Sequence, residues 1–289
     1  MRWRGNRESE NIEDRRGSGG GGGFGLGGKS IGIGGVIVAL IVSWVFGINP
    51  STVLSLMGGG GAPVQQQADT PTSKPQDEAG KFVSVVLADT EDTWTAQFKE
   101  HGQAYQPPHL VLFERATGTA CGTGQSATGP FYCPLDRKVY LDVSFFQELE
   151  KRFGVNGEFA QAYVVAHEIG HHVQKLTGVS DKVEASRKHS SSTMNNAMSV
   201  RVELQADCYA GVWANHANRS RQILEQGDVE AALKAASAIG DDAIQAKTQG
   251  QVVPDSFTHG SSAQRVRWFR TGLESGSIEQ CDTFDTDTL

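Results

Sequence analysis

Two histidines four residues apart, with a glutamate directly after the first, are the residues of this chain best placed to do chemistry: His167-Glu168-Ile169-Gly170-His171. On a helix, positions i and i+4 share a face about one turn apart, so both imidazoles can reach one metal ion. Glu168 is turned from that face by roughly 100°. It can therefore approach a water on the metal without ligating the metal, and accept its proton. That is the working content of an H-E-x-x-H pattern, and the ion it implies is zinc. The preceding residues, including Phe159, Ala162, Tyr163, Val164, Val165 and Ala166, are apolar nearly all round, which marks a buried helix. Buried histidines need partners, and a metal is one. His172 points away from the His167/His171 face and reads as a packed residue rather than a ligand.

A catalytic zinc takes three protein ligands and keeps one position open. The extended pattern with a third histidine six residues on is absent, because Gln174 and Thr177 occupy its glycine and histidine places. The better candidate is the segment VELQADCYAGVWANH, where Glu203 lies 32 residues after His171. Glu203 and Asp207 are again i and i+4 on one face. Glu203 can complete a His-His-Glu set, and Asp207 can accept the second ring proton of His167 or His171 and fix its tautomer. A solvated acidic face is the alternative, but Ala206, Cys208, Tyr209, Val212 and Trp213 crowd the pair. Near the C-terminus, FTHGSSAQRVRWF sets His259 before Ser261 and Ser262, either of which can cap the next helix, with Arg265 in its first turn. Brought to the metal, His259 and Arg265 could stabilise an oxyanion. A plain capping loop with a surface arginine explains the spacing equally well.

These residues need a body to hold them. The chain has 289 residues, 38% hydrophobic and 20% charged, with a net charge of −7. That composition fits a globular body, excludes a multi-span membrane protein and argues against a nucleic-acid partner. Residues 1–30 are polar and glycine-rich and read as a disordered cytoplasmic segment. Residues 31–48 carry no charge over 18 positions, so 31–57 read as a transmembrane signal anchor. The basic flank before it places the N-terminus in the cytoplasm and the rest outside. Residues 58–80 read as a flexible linker, and 81–289 as the metal-bearing domain. The expected location is the bacterial inner membrane, single-pass, with that domain on its outer side. None of the four cysteines forms a C-x-x-C pair. Export then suggests two disulfides, Cys121–Cys133 across a turn-rich loop and Cys208–Cys281 by elimination.

Within the domain the pattern is α+β, mainly helical with a small sheet. Helices are expected at 82–101, 144–153, 158–176, 197–218, 228–249 and 261–274, and strands at His109–Arg115 and Lys138–Asp142. Residues 181–195 read as a polar loop. Asp241 and Asp242 suggest helix capping or an ion pair.

Taken together, the chain resembles the bacterial putative neutral zinc metallopeptidase family, the YpfJ-like proteins. The likeness runs through MRWRG-x-R-x-S-x-NIEDRR, CGTGQSATGPFYCPLDRKVYLD, AYVVAHEIGHHVQKLTG, VELQADCYAGVWA, AIGDDAIQ and SFTHGSSAQRVRWFRTG, in order along nearly the whole chain. It implies a zincin-type fold, Zn2+ and peptidase activity. In such a fold the strand KVYLD would be the sheet edge that holds an extended peptide. The E-x-x-x-D helix also resembles that of membrane-associated gluzincins, whose T-H-P segment and downstream arginine parallel Thr258-His259 and Arg265; Gly260 stands in the proline's place. This likeness implies a catalytic role for His259.

Two functions follow. One is an endopeptidase acting on protein or peptide, with Glu168 as base. The other is a zinc-stabilised envelope scaffold that binds without hydrolysis. Glu168 discriminates, since a scaffold has no need of a base. The substrate and the oligomeric state are not legible.

Overall fold

The structure, a computed structural model, describes residues 1–17, 74–126, 129–286 and 288–289. Helix α1 (Glu78–Glu100) starts at Asp77, whose side chain accepts the Gly80 N–H, and buries Val83, Val86, Leu87 and Trp94. Helix α2 (Ser144–Phe153) leads into α3 (Glu158–Leu176), which carries both histidines and is buried along most of its length. Helix α4 (Val179–Arg187) is short, and α5 (Ser192–Arg221) is the longest among the described residues. Helices α6 (Asp228–Ala238), α7 (Asp241–Gln249) and α8 (Ser262–Ser275) complete the body.

Helix α5 packs against both α3 and α8. The α5/α8 crossing is a backbone contact. A Cβ added at Gly272 would lie 1.9 Å from the Cys208 carbonyl oxygen, and one at Gly211 would lie 2.1 Å from that of Phe269. Only glycine permits this approach, and it carries Arg265, in the first turn of α8, toward the acidic residues of α5. The disulfide Cys208–Cys281 ties the C-terminal tail to the same helix, and Cys121–Cys133 closes the other expected bridge.

Beside the helices is a four-stranded sheet in the order β1-β2-β6-β5, formed by Ile12–Asp14, His109–Leu112, Lys138–Leu141 and Phe131–Cys133. Strands β1, β2 and β6 are parallel and β5 is antiparallel to β6. The turn-rich segment after β2 forms a separate hairpin, β3 (Ala116–Thr119) with β4 (Gly122–Gln125). KVYLD is therefore interior, and β5, bracketed by Pro130 and Pro134, is the edge nearest α3.

The N-terminus corrects the sequence reading most. Residues 1–15 belong to the same compact body as residues 73–289. Ile12 sits in register with Leu110, Trp3 packs edge-to-face on Phe82 at 5.4 Å, and Met1 is buried. Glu91 on α1 accepts hydrogen bonds from Ser9 Oγ (2.5 Å), Asn11 Nδ2 (2.8 Å) and Arg7 Nη2 (3.1 Å). A segment that forms a strand of the domain's own sheet does not lie across a membrane from it. Among the described residues no helix is long and apolar enough to cross a membrane, and the span expected at 31–48 lies outside them. The single-pass anchor and the inner-membrane location are therefore withdrawn. What stands is a mostly helical α+β body.

Two smaller differences have local causes. The expected loop at 181–195 is largely helical, because Ser191 caps α5 by accepting the Met194 N–H. The expected helix 228–249 is broken at Gly240, where a Cβ would lie 2.4 Å from the Ser262 backbone nitrogen.

Candidate metal centre

Helix α3 presents His167 and His171 toward α5, and α5 presents Glu203 back to them. One ligand atom from each of His167, His171 and Glu203 falls within 4.8 Å of the others. The two Nε2 atoms converge on the two oxygens of one carboxylate: His167 Nε2 is 3.2 Å from Glu203 Oε2, and His171 Nε2 is 3.5 Å from Oε1.

The other nitrogen of each ring is held. His167 Nδ1 is 2.8 Å from Asp207 Oδ1, and His171 Nδ1 is 2.9 Å from Gln174 Oε1. Both partners are acceptors, so each Nδ1 carries a proton and each Nε2 is left to face a metal. Gln174 is fixed in turn, donating to Val202 O (2.7 Å) and Gln205 Oε1 (3.1 Å).

Behind His167 lies a buried polar cluster. Asp207 is fully buried and accepts from Tyr163 Oη at 2.5 Å. It also accepts from Arg265 through Nε (2.8 Å) and Nη2 (2.9 Å). Arg265 Nη1 donates to Ile239 O at 3.2 Å. Arg265 is itself 2% exposed, so its guanidinium orients Asp207 rather than reaching for a substrate. The fork of donors matches the carboxylate, as a lysine would not.

The electrostatics favour a cation. Burial pushes Asp207 upward, but Arg265 and His167 outweigh it and hold the carboxyl at about 2. Burial likewise opposes ionisation of Glu203, yet the two histidines hold it well below the usual carboxylate range. Burial also disfavours a charged His167, but Asp207 and Glu203 push that ring up to about 10. Two carboxylates, Asp207 fully buried and Glu203 partly so, against one permanent cation leave negative charge at the three donors. A divalent ion bound there replaces that attraction for a proton. The N, N, O donor set with supported rings fits zinc.

Glu168 is 8% exposed on the same helix and has no hydrogen-bond or ion-pair partner among the described residues. His172 is elsewhere: Nε2 meets Gln106 O at 2.7 Å and Nδ1 meets Tyr132 Oη at 3.0 Å. Burial lowers its pKa to about 4, so it is a neutral packed ring and not a ligand. His259 lies at the rim, half exposed, in the loop before α8. It is close enough to Glu203 for the charges of the two to stabilise each other. Sequence reasoning did not single out Tyr163, one turn before His167, or Gln174, three residues after His171. Their helical spacing from the histidines was the available signal.

The family model described as "Putative neutral zinc metallopeptidase" matches residues 1–284. "Uncharacterized protein YpfJ" of Escherichia coli (strain K12) is 51% identical over 286 residues, covering 98% of this chain and 99% of the relative. "Uncharacterized protein Rv2575" of Mycobacterium tuberculosis (strain ATCC 25618 / H37Rv) is 43% identical over 222 residues, 73% of this chain and 74% of the relative. No solved structure matches the chain.

Proposed function

The chain belongs to the "Putative neutral zinc metallopeptidase" family, and from that premise we propose that it hydrolyses peptide bonds at the His167–His171–Glu203 centre with Glu168 as general base. The observation that carries this reading is a converged, braced donor set together with a carboxylate, on the residue directly after His167, that has no partner among the described residues. Zinc, when bound, supplies a Lewis acid that polarises the scissile carbonyl and acidifies water. The remaining roles belong to this chain. His167, His171 and Glu203 hold the ion. Asp207 and Gln174 fix the ring tautomers, and Tyr163 and Arg265 fix Asp207. Glu168, with no competing partner among the described residues, takes the proton of the attacking water and passes it to the leaving amine. His259 at the rim donates to the carbonyl oxygen as it gains negative charge.

The test uses the full chain. Wild type should contain zinc and cleave a generic unfolded protein in a chelator-sensitive way. Glu168→Gln should keep the zinc and lose turnover. Loss of zinc with that substitution would make Glu168 a ligand. Zinc without turnover in wild type would favour the scaffold reading.

A further inference from the structure

The loop that carries His259 is held by one carboxylate, that of Asp241 at the start of α7. Asp241 Oδ2 accepts the backbone N–H groups of Thr258 (2.7 Å), His259 (2.6 Å) and Gly260 (3.0 Å). The Asp241 N–H donates to the Gly260 carbonyl at 2.9 Å, so the loop is clamped from both sides. The neighbouring Asp242 accepts from Ser262 N and Oγ, both at 2.7 Å, and satisfies the first free N–H of α8. Gly260 has φ +88°, which proline cannot adopt, and a Cβ added there would lie 3.1 Å from Leu204 and 3.3 Å from Val200 of α5. The loop therefore rests on the turn of α5 that carries Glu203.

The second oxygen of Asp241 has a different partner. Oδ1 is 3.1 Å from His259 Nδ1, which also lies 3.1 Å from Thr258 Oγ1. An ionised carboxylate can only accept, so Nδ1 must carry the proton. This has a chemical consequence. A neutral His259 held this way exposes a bare lone pair at Nε2 and cannot donate. Only the charged ring has a proton on Nε2. Among the described residues the charges that weigh most on the ring are Asp241 from α7 and Glu203 from α5, which favour its charge, and Arg265 from α8, which opposes it. The hydrogen bond to Asp241 is the largest influence, and the balance raises the pKa of His259.

We propose that Asp241 is a positioning residue for peptide hydrolysis: it seats His259 over the metal centre and fixes its tautomer, so that Nε2 donates to the substrate oxygen only from the imidazolium. This rests on the peptidase reading above and adds to it a named control of the donor. Asp241 touches no substrate.

Asparagine at 241 separates the two jobs of the carboxylate. Its oxygen can still accept the loop N–H groups, while its amide N–H faces His259 Nδ1 and reverses that hydrogen bond. A neutral ring would then carry its proton on Nε2 and donate without charge. Asp241→Asn in the zinc-loaded full chain should therefore lower kcat near neutral pH by about 10–100-fold, short of the effect of deleting the donor. KM and zinc content should barely change. The fall of kcat on the alkaline side, expected in wild type as His259 loses its proton, should flatten. In a His259→Ala background the same substitution should cost nothing further. Wild-type kcat with an unchanged alkaline limb would overturn the proposal, and so would an equal loss in the His259→Ala background. Nitrogen-15 histidine spectra of wild type, assigned against His259→Ala, need no fold-threatening variant. Nδ1–H at alkaline pH supports the proposal, and a neutral ring protonated on Nε2 overturns it. That readout does not depend on turnover, so it decides the hold of Asp241 on the His259 tautomer separately from the Glu168→Gln test of the peptidase reading.

Discussion

Asp207 and Asp241 each hold a histidine with one carboxylate oxygen, but they do so at different depths and with different partners. Asp207 is fully buried in the middle of α5, and its partners are side chains from two other helices: Tyr163 and His167 from α3, Arg265 from α8. Asp241 is at a helix start with a side chain 11% exposed, and most of its partners are backbone N–H groups of a loop. The difference matches the role proposed for each histidine. A metal ligand has to be in place before the ion arrives, so it is braced by a network that the core makes rigid. A donor to a transient negative charge has to sit beside an open substrate path, so it stands on a rim loop and is steered by a single residue. Loss of the first should therefore appear in folding and metal content, and loss of the second in rate alone.

The largest effect is expected from Asp207→Ala. It leaves Arg265 buried without its counter-charge, which costs about 3–5 kcal/mol of stability. It also removes the support of His167, which should weaken zinc binding by about 10–100-fold. Denaturant unfolding of the metal-free protein and a zinc titration measure the two. An unchanged metal-free stability would break the comparison. The sign with pH follows from the direction of the shift. Asp207 is held at about 2 against an ordinary 3.8, so its contribution is present above about pH 4 and is lost as pH falls toward 2. The stabilities of wild type and Asp207→Asn should converge over that window.

His259→Ala is next and should show the opposite pattern: kcat lower by about 10²–10³-fold with zinc retained and folding stability nearly unchanged. Single-turnover cleavage and metal analysis on one preparation check it. If the metal is lost instead, His259 is a ligand and Glu203 becomes its support.

The two sites also differ in how far the sequence reveals them. His167, Glu168 and His171 are local, and helical spacing alone implied their common ion. Glu203 and Asp207 repeat that spacing on a second apolar helix, so they were legible as a pair, although which histidine Asp207 would hold was not. What brings Arg265 to Asp207 is the Gly211/Gly272 crossing, a contact across 61 residues that leaves no periodic trace. The hold of Asp241 on His259 spans 18 residues and depends on a helix break at Gly240 that the apolar pattern runs straight through. The N-terminal strand was misread for a related reason. Ile12–Asp14 gains its stability from pairing with Leu110–Leu112, about a hundred residues away, and short polar segments of that kind look disordered when only their own composition is weighed.

The smallest predicted effect, and the one that sharpens the comparison most finely, is that of Tyr163→Phe. The phenol donates to Asp207 Oδ1 at 2.5 Å, but it is one of several donors there. His167 Nδ1 and Arg265 Nη2 reach the same oxygen, and Arg265 Nε reaches the other. Removing the hydroxyl leaves a ring of nearly the same shape, packed edge-to-face on Phe269 at 5.2 Å, and leaves no buried charge without a partner. The cost should be that of one hydrogen bond to a charged acceptor, about 1.5–3 kcal/mol at most. Zinc affinity should fall by less than about tenfold, because Asp207 still holds the His167 tautomer. Calorimetric unfolding with a competitive zinc titration measures both. A loss of affinity as large as that of Asp207→Ala would mean that the ring is positioned by Tyr163 and not by the carboxylate. The rigidity credited to the buried network would then rest on a single phenol, as the rim loop rests on Asp241.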